Sequence, residues 1–285
     1  MIELISRSWR KPFYELVSSA EHSLLLAAPF IKKDEARRLA DAAGAKPGQR
    51  SARLTVLTDL RAESVLSDSL DIEALQVFVK EFEPAQVISV PRLHAKVYVA
   101  DKARAIVGSA NLTPSGLDQN MEYGILIEDP RIVGRIRGDL LRYGQLGSPV
   151  ESDTLDSLEA LGKQMKLKFS ALQKSAAAGL RREFTAQLRE ARKRFIATQV
   201  GNRSANAVFS EAILYLLVQH PLATRDLHPR IQALLPDLCD DSLELVINGE
   251  AFGKKWKHEV RNAQQSLKRL GLIRFDGRQW IRDGR

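Results

Sequence analysis

Apolar positions in the first half of the chain recur with two alternating periods, one helical and one extended. An amphipathic stretch over residues 8–20 predicts a helix, and the apolar run Ser23–Phe30 a buried strand that Pro29 and Phe30 close. A helix over Lys32–Ala43, a strand over Arg53–Leu60, a helix over Ile72–Phe82 and a strand over Gln86–Val90 follow. Gly44–Arg50 reads as a solvated basic loop, and Pro130–Tyr143 as the helix that closes this part. Strands alternating with helices indicate an α/β domain around a parallel or mixed sheet.

After residue 150 the extended pattern disappears. Asp153 or Thr154 can cap a helix. Ala176, Leu180, Phe184 and Leu188 then fall four apart, with Ala191 and Phe195 continuing the stripe. The opposite face carries Lys174, Arg181, Arg182, Arg189, Arg192, Lys193 and Arg194. That face is a solvated surface, a surface that tracks phosphates, or an arm that bridges a dimer. Further on, Phe209–His220, Thr224–Leu235 and Lys254–Leu270 read as three helices, the last stopped by Gly271. Leu272–Phe275 and Gln279–Ile281 flank Asp276-Gly277-Arg278, a tight-hairpin signal. Three domains are expected: 1–149 α/β, 150–203 a basic helical linker, and 204–285 three helices with a hairpin, the winged-helix plan.

Composition narrows the classes. Cys239 is the lone cysteine, so neither a disulfide framework nor a cysteine metal site is encoded, and a reducing, cytoplasmic setting is expected. The N-terminus lacks a signal-peptide apolar core, and the runs Leu24–Ile31 and Ala212–Val218 are too short to span a bilayer, so no membrane partner is expected. The net charge of +8 is uneven. Residues 1–149 hold 20 Lys+Arg against 19 Asp+Glu, and residues 150–285 hold 23 against 16. A localised basic excess is the footprint of a polyanion partner.

The candidate chemistry lies in RLHAKVYVADKARAIVGSANLTPSGLDQNMEYGILIE, residues 92–128. On a strand His94, Lys96 and Tyr98 would share one polar face, with Leu93, Ala95, Val97 and Val99 behind it. An imidazole can attack phosphorus or carry a proton at neutral pH. Lys96 would hold the non-bridging oxygens, helped by the neutral donors of Ser109 and Asn111. Gly108 would let the backbone approach a ligand, and Glu122 could fix the His94 tautomer. No carboxylate cluster stands nearby for magnesium, so no metal and no cofactor is expected. A PD-(D/E)xK nuclease is excluded, because the residue after Glu244-Leu245 is Val246, not lysine. Cys239 has no evident base, and Gly44–Arg50 does not match a phosphate loop.

His94, Lys96 and Asp101, followed by Gly108, Ser109 and Asn111, resemble the HKD motif of the phospholipase D superfamily. The resemblance implies a phosphodiesterase that acts through a covalent phosphohistidine, with a second histidine protonating the leaving oxygen. It gives Asp101 and Gly108 structural roles and Glu122 the orientation of the histidine. None of His22, His220, His228 or His258 has a lysine two positions on, so the chain carries one motif. The resemblance to single-motif nucleases of the family therefore implies a homodimer with one composite site.

WKHEVRNAQQSLKRLGLIRFDGRQWI resembles the winged-helix domain of Mrr-type restriction proteins. That implies DNA contacts from Lys257, Arg261, Asn262 and Gln265 on the third helix and from Arg274 and Arg278 on the wing. Docking on another protein, or making the dimer, is the other use of such a domain. The combined expectation is a metal-independent DNA nuclease of restriction or anti-phage defence, with further defence subunits as possible partners. The alternatives are a phospholipase or phosphatidyl transferase of the same superfamily, and a DNA-binding regulator whose motif domain only dimerises.

Overall fold

The computed structural model describes residues 1–6, 9–44, 52–173, 184–188, 190, 191, 194, 198, 200, 201, 203–218, 220–247 and 249–283. Residues 45–50 of the expected loop lie outside that set. So do Lys174, Ala176, Leu180, Arg181, Arg182, Arg189, Arg192, Lys193 and Phe195 of the expected basic helix. The chain divides into two compact units, Met1–Gln199 and Val200–Arg285.

The first unit is built on an eight-stranded mixed sheet. In chain order its elements are β1 (Ile2–Ile5), α1 (Arg10–Ser18), β2 (Ser23–Ala27), α2 (Lys33–Ala42), β3 (Arg53–Thr58) and α3 (Ala62–Leu66). There follow α4 (Ile72–Glu81), β4 (Ala85–Ser89), β5 (Lys96–Ala100), β6 (Arg104–Gly108), a wide helical turn at Ser115–Gln119, and β7 (Gly124–Ile127). α5 (Pro130–Leu146), β8 (Ser148–Pro149) and α6 (Ser152–Gln173) complete it. The strand order is β1-β7-β6-β5-β2-β3-β4-β8, with β2, β3 and β4 parallel and the other pairs antiparallel. The chain moves outward from β2 through β3 to β4, then restarts at β5 on the other side of β2. Such a reversal leaves a crevice at the carboxyl ends of the parallel strands.

Both faces of the sheet are buried. Leu24, Leu26, Leu54, Val56, Tyr98 and Ile106 face a core shared with α1, α2, α4 and α6. Leu25, Leu57, Val97, Val99 and Ala105 face Val133 and Leu140 of α5. Strand alternation explains both sets, and a sheet covered on both sides needs the near-continuous apolar runs seen in β2 and β5. α5 starts cleanly because Asp129 caps it, accepting from the N–H groups of Arg131 (2.9 Å) and Ile132 (3.2 Å), with Pro130 at the first helical position. Val150, Leu155 and Leu158 are buried in the first core, so the stretch after residue 150 begins as part of this unit.

The second unit contains α7 (Ala205–Leu217), α8 (Thr224–Leu234), a hairpin of β9 (Glu244–Ile247) and β10 (Glu250–Lys254), α9 (Lys255–Arg269), and a terminal hairpin of β11 (Ile273–Phe275) and β12 (Trp280–Arg282). Three helices and the last hairpin stand where the periodicity put them. The β9–β10 hairpin was not anticipated; its strands lie largely on the surface and lack an alternating apolar face. Phe209, Ile213, Leu227, Ile231, Trp256, Val260 and Ile273 form the separate core of this unit. Among the described residues no helix is long and apolar enough to cross a membrane.

Candidate active site

All of the HKD-like residues but Asp101 lie at the carboxyl edge of the parallel strands. Lys96 opens β5, and it pairs with Gly108, the last residue of β6, which pairs in turn with Gly124, the first of β7. Ser109, Asn111 and Glu122 therefore sit on the loops of one sheet edge. His94 is not on the strand: β5 begins at Lys96, and a tight turn over Val90–Leu93, with Arg92 at φ 57°, delivers the imidazole exposed at the rim.

Lys96 is 8% exposed. Its Nζ lies 3.1 Å from each ring nitrogen of His94 and donates to the His94 carbonyl oxygen at 2.9 Å. Burial lowers the Lys96 pKa, and the charge of Glu122 opposes that shift. The Ser109 hydroxyl donates to Glu122 Oε2, Asn120 Nδ2 donates to Glu122 Oε1 at 3.1 Å, and the Tyr123 N–H donates back to Ser109 Oγ at 3.0 Å. Asn111 Oδ1 is buried with no hydrogen-bond partner among the described residues. Beside this group, Asp59 pairs with Arg61 at 2.8 Å just beyond the end of β3, adding a guanidinium to the same edge. A polyanion would meet cations and neutral donors here.

Two expectations, on the β5 face and on Glu122, are corrected, and Gly108 gains a packing role. The face of β5 shared by Lys96 and Tyr98 is a core face, since Tyr98 is wholly buried against Phe13, with ring centroids 4.8 Å apart. Gly108 also makes room for an indole: a Cβ there would lie 2.2 Å from Trp9 Cη2, and one on Gly124 would lie 2.4 Å from the same atom. The Glu122 carboxylate is bound to Ser109 and Asn120 and makes no hydrogen bond to His94 of its own chain.

Asp101 lies at the far end of β5, roughly 17 Å from Lys96 at the usual rise per residue of a strand. Its carboxylate accepts from the N–H groups of Glu21 (3.0 Å), His22 (3.0 Å) and Ser23 (2.7 Å) and so ties β5 to the start of β2. Burial works against the charge, yet the three N–H groups together hold its pKa below the ordinary carboxylate value.

Sequence reasoning missed the residues that hold the site in place. Arg10 of α1 forms ion pairs with Glu35 of α2 at 2.8 Å and with Asp118 in the turn that follows Asn111, and Tyr14 donates to Glu35 at 2.7 Å. Glu35 is fully buried. Its place on the face of α2 that carries Ala36, Leu39 and Ala40 was the available signal, because a buried carboxylate needs a partner.

In the second unit Arg261, Asn262 and Gln265 are exposed on one side of α9. Lys257 lies over the Trp256 ring at 5.5 Å, and Arg274 pairs with Asp283 at 3.0 Å. Arg278 sits in the terminal turn, where Asp276 accepts from the N–H groups of Arg278 (2.9 Å) and Gln279 (2.8 Å).

Residues 13–143 match the family model described as cardiolipin synthase, PLD-like domain. The matched stretch runs from α1 into α5 and includes the sheet edge that carries His94, Lys96, Ser109 and Asn111. No curated protein matches the sequence. Among solved structures, the chain is similar to NucT from Helicobacter pylori at 16% identity and a TM-score of 0.41, over 50% of this chain and 94% of that one. It is similar to Nuc from Salmonella typhimurium, titled a phospholipase D family member, at 16% identity and 0.42, over 53% and 99%. A phosphatidylserine synthase from Haemophilus influenzae matches at 13% identity and 0.43, over 61% and 44%.

Proposed function

We propose that the chain, carrying a phospholipase D-like domain, is a homodimeric, metal-independent phosphodiesterase that cleaves DNA. The observation that carries the reading is an exposed His94 with the Lys96 ammonium 3.1 Å from its ring, on the edge where Ser109 and Asn111 also stand.

In the proposed reaction a ring nitrogen of one His94 attacks phosphorus, the phosphorus–oxygen bond to the leaving group breaks, and a second imidazole gives that oxygen its proton. Water then attacks the phosphohistidine, losing a proton to the second imidazole, and frees the first. Lys96, Ser109 and Asn111 hold the non-bridging oxygens throughout. The second imidazole is the partner's copy of the same residue. Within the first unit the other histidine is His22, which precedes β2 at the opposite edge of the sheet. Glu122, bonded to Ser109 within its own chain, sets the hydroxyl and stands ready for an imidazole brought from across the two-fold axis.

The basic excess after residue 150 and the exposed face of α9 support nucleic acid as the substrate. The second unit is proposed as a winged helix that brings duplex to the site, and restriction or anti-phage defence as the setting, with further subunits as partners. A phosphatidyl transferase is the second reading, favoured by the description of the matching family model. Plasmid digestion in EDTA separates them: the wild type should nick DNA while His94→Ala does not, and its solution mass should be that of two chains. An intact plasmid together with turnover of a phospholipid would favour the second reading.

A further inference from the structure

We infer that the Tyr98 hydroxyl fixes the turn carrying Ser109 and Asn111, and through that turn sets how firmly a phosphoryl group is held. The inference rests on the reading of the site above. Tyr98 is the third residue of β5, on the same side as Lys96 and entirely buried. Its ring packs edge-to-face on Phe13, an environment that an apolar ring alone would satisfy. The hydroxyl donates to the Ala110 carbonyl oxygen at 2.7 Å. Ala110 is itself buried, and it separates the two residues whose side chains are to meet the phosphate oxygens.

The rest of the turn is tied by backbone bonds, Ser109 N–H to the Tyr123 carbonyl at 3.1 Å, Thr113 N–H to the Asn111 carbonyl at 2.8 Å and, one residue past Asn111, Lys32 N–H to the Leu112 carbonyl at 2.9 Å. These bonds fix the two ends of the turn, and the phenol holds its middle residue, Ala110, against the core. Burial, reinforced by the Glu122 charge, raises the Tyr98 pKa and keeps the donor protonated. One rigid strand thus aligns the ammonium of Lys96 and, two residues deeper, the pin under the neutral donors. Without the hydroxyl the buried carbonyl loses its partner, and the turn must reseat to find another. Tyr98 is in this sense a positioning residue, acting through Ser109 and Asn111.

The test uses the full chain as wild type, Tyr98→Phe, and Phe78→Leu, a control at another fully buried ring on α4. Melting temperature, affinity for inorganic phosphate, and kcat and KM for DNA in EDTA are measured for each. Tyr98→Phe should bind phosphate about tenfold more weakly and lose about tenfold or more in kcat, with KM for DNA within about twofold, because a small misplacement of oxygen-binding groups is felt in the transition state. Phe78→Leu should lose stability yet keep both phosphate affinity and kcat. Wild-type phosphate affinity and kcat in Tyr98→Phe, or equal changes in both variants, would overturn the inference. If the wild type binds phosphate without cutting DNA, the reaction has been misread, and phosphate affinity alone decides the role of Tyr98. A wild type that neither binds phosphate nor cuts overturns both.

Discussion

The Lys96 ammonium lies 3.1 Å from both ring nitrogens of His94 while the strand around it is almost sealed from solvent. Burial is the larger influence on its pKa and lowers it; the Glu122 charge pulls the other way. A lysine whose pKa is lower in the folded than in the unfolded chain carries its full cost below the folded value. Between that value and the ordinary 10.5 the unfolded chain holds a proton that the native one has lost, so stability rises with pH. Lys96→Met has no such cost. It should abolish phosphodiester cleavage yet melt above the wild type at pH 7, and the gap should close as the pH is raised toward 10. Melting curves across that range check the sign; a gap that widens with pH would contradict it.

Asp101 gives the opposite pattern. Held by three backbone N–H groups, its carboxyl has a depressed pKa in the folded chain. Its contribution is present above the unfolded value of 3.8 and is lost as the pH falls through the folded value. Asp101→Ala should cost roughly 1–2 kcal/mol at pH 7, a figure reduced for partial exposure. The difference from wild type should shrink in denaturant titrations below pH 4. Far from His94 along β5, it should leave kcat within about twofold. A kcat collapse in a well-folded variant would show that the carboxylate acts on the reaction itself.

The spacing of His94, Lys96, Ser109 and Asn111 marked them as candidates, and the fold brings all four to one sheet edge, although only Lys96 of the four lies on a strand. In the first unit β2, β3 and β5 were legible because they are buried on both faces, so their apolar runs are nearly unbroken, whereas the short β1, α3 and β8 were not anticipated. What spacing could not reveal was depth. His94, Lys96 and Tyr98 keep one two-residue step, yet His94 is exposed at the rim while Lys96 and Tyr98 are buried. Nor could it place Trp9 against Gly108, since β1 and α1 reach the β6–β7 edge only through the long-range pairing of Ile5 with Gly124. The β9–β10 hairpin was illegible because strands with both sides wet carry no periodic signal.

Gly108 and Gly124 face each other across β6 and β7 under the indole of Trp9. A methyl group at position 108 would meet Trp9 Cη2 at 2.2 Å and the Tyr123 carbonyl oxygen at 2.8 Å. Gly108→Ala should therefore cost about 2–3 kcal/mol by overpacking. Trp9→Leu alone should destabilise by opening a cavity. Combined, the two changes should cost less than their sum by at least about 1 kcal/mol, since each relieves the other. Chemical denaturation of the four proteins in the cycle measures this coupling; strict additivity would mean that the glycine is required for some other reason.

Arginines that would engage DNA differ in what already holds them. Arg261 projects from the exposed side of α9, next to Asn262, and among the described residues no group holds its guanidinium in a hydrogen bond or ion pair. Arg274 is bound to Asp283 at 3.0 Å, so its charge is partly spent before any phosphate arrives. Arg261→Ala should weaken duplex binding by about 1–3 kcal/mol if it reads a base edge. If it meets a phosphate instead, the loss should be the same on every sequence and should lower the slope of log affinity against log salt by about 1. Arg274→Ala should change affinity less than Arg261→Ala at every salt concentration, whereas Asp283→Ala, by freeing the guanidinium, should tighten binding most at low salt. Titrations of labelled duplex at three salt concentrations separate these outcomes. Unchanged affinity in Arg261→Ala, with cleavage intact, would move the DNA-binding surface off α9 altogether.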